Sequence, residues 1–402
     1  MPDDAQLTTD SPRTGATVVA QPPAAPPAAV ARRVGREILV PALSIFTSLV
    51  IGGLIIWATT GSLGTALAAY GGLFAGAFGS PEAIAGTLIK ATPYIFAGLA
   101  VALAFKCGLF NIGAEGQVAL GALFAAFVGY NFQLPAIIHI PLTIAAGLLG
   151  GFIWGAIPGF LKARTGAHEV ITTIMMNYLA LQFVAWMLSG PMKKPGSVAA
   201  QTPYLQPTSW LPMLLPQLQL HSGVLLALVT AALVWWFLYR TTWGFEIRTT
   251  GANSSAARYA GIPIMRNIIL AMALSGMLAG LAGAVEVTGV ALDVTRLQPL
   301  GDRYFGLGFS SGYGFDSIAV ALLGRSSPPG VVLAALLFGA LRAGATQMQY
   351  ETQVPGEIIS VIQGLILLFV AADAIIRAVY RVRATPASAG SPVLTSGWGE
   401  KA

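Results

Sequence analysis

The sequence predicts an all-α, polytopic membrane protein of about ten transmembrane helices, some of them broken, with both termini cytoplasmic. Three observations predict it. Hydrophobic residues make up 55% of the 402 and charged residues only 9%, against about 25% charged in a soluble domain. So few charges do not clothe a water-soluble fold of this size. Apolar runs near the roughly 20 residues that cross a bilayer recur along the chain. Positive charge is also spread unevenly over the connecting segments.

Residues 1–35 are rich in Ala, Pro, Thr and Asp, show no apolar core or signal peptide, and read as a disordered cytoplasmic tail. The membrane domain is expected over 36–383. Its clearest spans are 38–57, 140–161, 170–188, 223–238, 268–287 and 358–376, and shorter or Gly-interrupted spans are 91–105, 117–130, 305–323 and 331–345. Segment 66–78 is too short and too Gly-rich for a span and is expected as a helix at the outer surface. Residues 384–402 read as a second disordered cytoplasmic tail.

With the N-terminus inside, the inner segments hold Arg32, Arg33, Arg36, Lys106, Lys162, Arg164, Arg240, Arg248, Arg258, Arg266, Arg325, Arg377, Arg381 and Arg383. The outer segments hold Lys90, Lys193, Lys194, Arg296, Arg303 and Arg342. The opposite threading inverts this positive-inside bias. The net charge of +6 is therefore mostly a topology signal, and no nucleic-acid partner is expected.

Catalytic and metal motifs are missing from the sequence. There is no G-x-x-x-x-G-K-[ST] loop to cradle a nucleotide's phosphates and no G-x-S-x-G nucleophile turn. His168-Glu169 opens like a zinc-protease helix, but Thr172 stands where the second histidine is needed. A lone Cys107 excludes an intrachain disulfide, and His139, His168 and His221 lack ligand spacing. The chain is expected to be no enzyme and to bind no metal or cofactor.

Polar residues interrupt apolar runs at two places, the stretch 108–117 with Asn111, Glu115 and Gln117, and the stretch 306–324 with Asp316. Glu286 lies in a third apolar run. An acid facing lipid costs a few kcal/mol, so these side chains face the interior or a watery path. They read either as a solute pathway or as hydrogen bonds that hold the bundle together. Paired broken segments in the two halves of a chain are also a pattern of repeats that line a transport path.

Two connecting segments are long. The outer one, 190–221, carries six prolines and an apolar patch at 210–215, and reads as a docking surface or an ordered loop. The inner one, 239–262, contains a short helix at 255–260, capped by Asn253 or Ser254 and ended by Gly261. Ala256, Ala257 and Ala260 give it a shallow face, and Arg258 and Tyr259 are large anchors of the kind enriched in interfaces. It reads as a docking helix or as a connector on the membrane surface.

At this inner segment the sequence resembles a known family. Gly251-Ala-Asn253, then Ala256-Ala-Arg-Tyr-Ala-Gly-Ile262, then Leu274-Ser-Gly-Met-Leu-Ala-Gly-Leu-Ala-Gly283 look like the coupling region of ABC importer permeases of the branched-chain amino acid, ribose and nucleoside group. Gly108–Gln117, Lys162–Asn177 and Gly312–Gly324 resemble its nucleoside and simple-sugar branch, and the likeness covers roughly residues 38 to 380.

The resemblance implies a prokaryotic plasma (inner) membrane protein. Its partners would be an ATP-binding cassette subunit that carries the ATP, a second permease subunit, homologous or identical, an extracytoplasmic substrate-binding protein, and membrane lipid. The coupling residues it implies are Gly251, Asn253, Ala256, Ala257, Arg258, Tyr259, Gly261 and Ile262. Asn177, which closes the second motif, joins Asn111, Glu115, Gln117 and Asp316 as pathway candidates. The expected solute is a nucleoside or simple sugar. Amino acid import, or an ion-coupled secondary transporter using Glu115, Glu286 or Asp316, are the alternatives.

Overall fold

The computed structural model describes residues 27–290, 303–309 and 312–381. Among the described residues, seven helices are long and apolar enough to cross a membrane. They are α1 (Pro27–Thr60, apolar from Leu39), α3 (Pro81–Lys106), α5 (Ala136–Thr165), α6 (Glu169–Ser189), α7 (Gly223–Arg240), α10 (Ile264–Gly289) and α12 (Pro328–Thr352). Shorter apolar helices are α2 (Leu63–Phe78), α11 (Tyr313–Leu323) and α13 (Glu357–Ala371). Helix α4 (Ala114–Asn131) is apolar after its first turn, and α8 (Thr242–Ala252), α9 (Ser254–Tyr259) and α14 (Asp373–Val379) are short. The protein is all-α and polytopic, with one small antiparallel pair, β1 (Met213–Leu215) and β2 (Leu220–His221), among the described residues.

Several boundaries differ from expectation. The run 305–323 becomes helical only at Tyr313, because Gly308 and Gly312 take left-handed φ of 79° and 85° and stop a helix from forming earlier. Gly306 bridges Gln201 in extended conformation instead. The run 358–376 divides into α13 and α14 at Ala372, whose backbone leaves the helical region. The runs 91–105 and 331–345 are the inner parts of α3 and α12, which start earlier on Pro81 and Pro328, residues preorganised for a first helical turn. Segment 66–78 is not set apart on the surface: α2 packs lengthwise on α12, with Gly72 against Met348 and Glu351 and Gly76 against Gly344 and Gln347. Helix α1 begins at Pro27, inside the expected tail, while residues 1–26, Arg296, Arg383 and the tail 384–402 lie outside the described residues.

Glycine sets the closest packing. Gly147, Gly151 and Gly155 of α5 face Gly276, Gly280 and Ala284 of α10, so near that a Cβ on Gly151 would lie 2.1 Å from the Gly276 carbonyl oxygen. Without a hydrophobic drive between helices in lipid, such small-residue faces are what hold spans together. Gly121 and Gly283 bring α4 onto the same helix, so α10 is buried at the centre.

The bundle has two distinct ends. Helices α8 and α9 join the C-terminus of α7 to the N-terminus of α10, and Gly251 seats on the Lys106–Gly108 turn after α3. At the other end, segment 190–222 is ordered. Thr202 and Leu205 donate backbone N–H groups to Phe305 and Arg303, Gln206 to Gly129 at the end of α4, and Leu211 to Thr288 at the end of α10.

Candidate translocation site

Two interrupted helices meet head to head in the middle of the bundle. Helix α4 runs from Ala114 toward the 190–222 end. Helix α11 starts beside it and runs the other way, its Tyr313 ring edge-on to Tyr94 at 5.1 Å and its Val320 packed on Gly98. Tyr94 sits halfway along α3, so both N-termini lie at mid-depth. Helix N-termini are partially positive, with N–H groups that lack an intrahelical partner. Glu115, in the first turn of α4, accepts a 2.7 Å hydrogen bond from the N–H of Gly314 in the first turn of α11. One buried carboxylate thus serves both helix starts. The approach is close, since a Cβ on Gly314 would strike the Glu115 backbone.

The turn before α4 is held by a side-chain lattice. Gly108, at φ 73°, reverses the chain after α3. Asn111 donates to Gln117 Oε1 at 2.9 Å and to Ser275 Oγ at 2.8 Å, and its own oxygen accepts from the Gly113 N–H at 2.9 Å. The Ser275 hydroxyl in turn donates to the Ala100 carbonyl at 2.7 Å. Asn177 of α6 accepts from Gly116 N–H and donates to the Ile112 carbonyl, both at 2.8 Å. These amides are buried, and they replace the backbone partners lost where the helix is broken.

Asp316 occupies the opposite side of the α11 start. It accepts from Tyr94 Oη at 2.8 Å and lies 3.6 Å from the Arg342 guanidinium of α12. Tyr313 reaches Glu286 at 3.4 Å. All five pathway candidates therefore belong to one connected region, Asn111, Gln117 and Asn177 on the α4 side, Glu115 at the junction and Asp316 beyond it. Sequence reasoning missed Tyr94, Tyr313, Ser275 and Arg342 as members. Tyr313 and Arg342 lie in runs with polar or charged residues, but nothing along the chain places them, Tyr94 or Ser275 beside one another; only the fold brings them together.

Beyond Arg342, toward the 190–222 end, His221 is buried with Nδ1 accepting from the Gly223 N–H at 3.1 Å. Burial, aided by nearby Arg303, pushes its imidazole down to about 4. Arg303 is buried too, donates to the Gly289 carbonyl at 3.2 Å and lies over the Trp210 ring, and burial lowers its guanidinium to about 10.

At the other end, α9 is built as a projecting helix. Asn253 caps it by accepting from the Ala256 N–H at 2.9 Å. Gly261 ends it at φ 77°, and the Ile262 N–H returns to the Ala257 carbonyl at 3.0 Å. Ala257 is fully buried and anchors the helix, so the exposed small face consists of Ala256 and Ala260 beside Arg258 and Tyr259, the last 95% exposed. Glu246 of α8 pairs with Arg266 of α10, and Thr250 receives a 3.4 Å hydrogen bond from Asn267, which ties the α8–α9 unit to the central helix.

This arrangement has a counterpart among known sequences. Residues 83–371 match the family described as branched-chain amino acid transport system, permease component. The chain belongs to this family. The permease is 40% identical over 345 residues to the guanosine ABC transporter permease protein NupP of Bacillus subtilis, covering 85% of this chain and 95% of that one. It is 35% identical over 350 residues to the nucleoside ABC transporter permease protein NupB of Lactococcus lactis, covering 85% and 92%. It is also 33% identical over 339 residues to the glucose ABC transporter permease protein TsgB13 of Haloferax volcanii, covering 82% and 86%. No solved structure matches it.

Proposed function

We propose that this permease is the membrane-spanning subunit of an ATP-driven ABC importer that carries nucleosides. Identity to the guanosine permease along nearly that protein's whole length supports this reading more than any other observation. The glucose relative supports a simple sugar as the second reading. An ATP-binding cassette subunit docks on Ala256, Arg258, Tyr259 and Ala260, with Asn253, Ala257, Gly261 and Ile262 shaping the helix and Gly251 seating it. A second permease subunit and an extracytoplasmic binding protein complete the importer in a prokaryotic plasma membrane. The α9 end then faces the cytoplasm and segment 190–222 faces outward, in keeping with the basic residues around α8 and α9.

In this mechanism, closure of two ATPase subunits on ATP pulls α9. The Glu246–Arg266 pair and the Thr250–Asn267 hydrogen bond transmit the pull to α10. Helix α10 carries Ser275 and Glu286, so its displacement acts on both sides of the α4–α11 junction. There Asn111, Glu115, Gln117, Asn177 and Asp316 shape the solute path. Moving such a two-state element almost fully from one side to the other takes about 5.5 kcal/mol of differential binding.

Uptake of labelled guanosine and glucose into vesicles holding the full importer tests this reading. Guanosine uptake is expected to depend on ATP and to survive a protonophore. Uptake that collapses with the proton gradient at constant ATP would favour an ion-coupled carrier. Ala256→Trp is expected to abolish ATP-driven uptake while leaving the permease folded. Gly261→Trp is the weaker test, because a side chain at φ 77° strains the backbone whether or not a partner docks.

A further inference from the structure

A cavity of about 340 Å³ opens between α3, α12 and segment 190–222. This is within the range of small-molecule sites. Glu82, Lys90, Gln219, His221, Arg342 and Thr346 line it. His221 is 1% exposed, and its Nε2 has no partner among the described residues. Since Nδ1 accepts from Gly223, the neutral ring carries its proton on Nε2. A buried donor left unpaired in this way is unfavourable, so an acceptor that reached it would be favoured.

The charges limit the ligand further. Lys90 and Arg342 are cationic, but Glu82 shares the lining and Asp316 lies 3.6 Å from Arg342. Two cations offset by two carboxylates do not favour an anion. They favour an uncharged molecule rich in oxygen acceptors and carrying hydroxyl or N–H donors. Arg342 also forms the wall between this cavity and the α4–α11 junction, since it lines one and faces Asp316 in the other.

We propose that this cavity is a staging site for the transported solute, where His221 Nε2–H, Lys90 and Arg342 bind its hydroxyl or carbonyl oxygens before it passes Arg342 to the junction. This rests on the solute reading above and adds a binding site to it.

Gly86 lines the cavity with open space where a side chain would go, and the native Cys107 is buried. The Gly86→Cys variant therefore places a reporter thiol in the cavity. With the permease–ATPase complex in lipid nanodiscs, millimolar guanosine is expected to slow methanethiosulfonate modification of that variant at least threefold. His221→Phe in the same background is expected to remove the protection. If wild-type vesicles take up glucose and not guanosine, protection by glucose in place of guanosine upholds the site. An unchanged rate with the solute that wild-type vesicles take up would overturn it, as would slowing that follows anionic lipid content and not solute. Wild-type vesicles that take up neither solute would overturn the solute reading and this site with it.

Discussion

Glu115 shows how one side chain serves both architecture and path. Its carboxylate is buried, sits in the first turn of α4 and accepts from the first turn of α11. Glu115→Ala leaves the Gly314 N–H without that acceptor, at a cost of about 1–3 kcal/mol. The purified permease should then show a clearly lower thermal midpoint, and Glu115→Gln, which keeps an oxygen acceptor, a smaller drop. Equal drops would mean that the carboxylate's charge at the two helix starts matters more than the hydrogen bond. His221 makes a separate prediction about pH. Its folded value of about 4 lies below the ordinary 6.5, so the unfolded chain takes up the proton first as pH falls. Stability is therefore full above about 6.5, declines between 6.5 and 4, and levels off below, where both states are protonated. The thermal midpoint measured from pH 7 to 5 should fall, and His221→Gln should flatten the slope. An unchanged slope would assign the pH dependence to other groups.

At the scale of elements, the α5–α10 contact is the most exacting. Gly151→Leu puts a side chain where the Gly276 carbonyl already lies, and loss of folded protein on size-exclusion chromatography is expected. Ala at the same position should be milder and still destabilising, since its Cβ would already be too close. The long spans were legible because hydropathy depends on the solvent, and lipid imposes it evenly along a run. The elements that sequence reading misplaced are those shaped by particular backbone conformations or by neighbours. The start of α11 depends on Gly308 and Gly312 in left-handed conformation, and α2 depends on a fit to α12. In the α9 segment the Asn253 cap, the alanines and the Gly261 stop were all readable, because capping is local chemistry. The inward turn of Ala257 was not, because it depends on what lies beneath the helix.

For the whole molecule, the site was legible in part. Glu115 and Asp316 stand out in sequence as acids in apolar surroundings, yet nothing along the chain says that α4 and α11 meet by their N-termini. Tyr94, Tyr313 and Arg342 come from three separate helices, and nothing along the chain marks them as neighbours. The molecule also predicts how force travels. The Glu246–Arg266 pair joins a half-buried carboxylate to an exposed guanidinium and is worth about 1 kcal/mol by itself, so Glu246→Ala should leave the fold intact. If that pair transmits motion from α9, solute moved per ATP hydrolysed should fall while ATP hydrolysis continues. An unchanged ratio would leave transmission to Thr250, Asn267 and the backbone.

The glycine contact between α5 and α10 has a mechanical consequence. Main chain rests on main chain there, with no flexible side chains between that could swap rotamers and absorb a displacement. The two helices are geared together without backlash, so a tug on one end of α10 drags α5 along. Whatever bends during transport must therefore bend somewhere other than this joint.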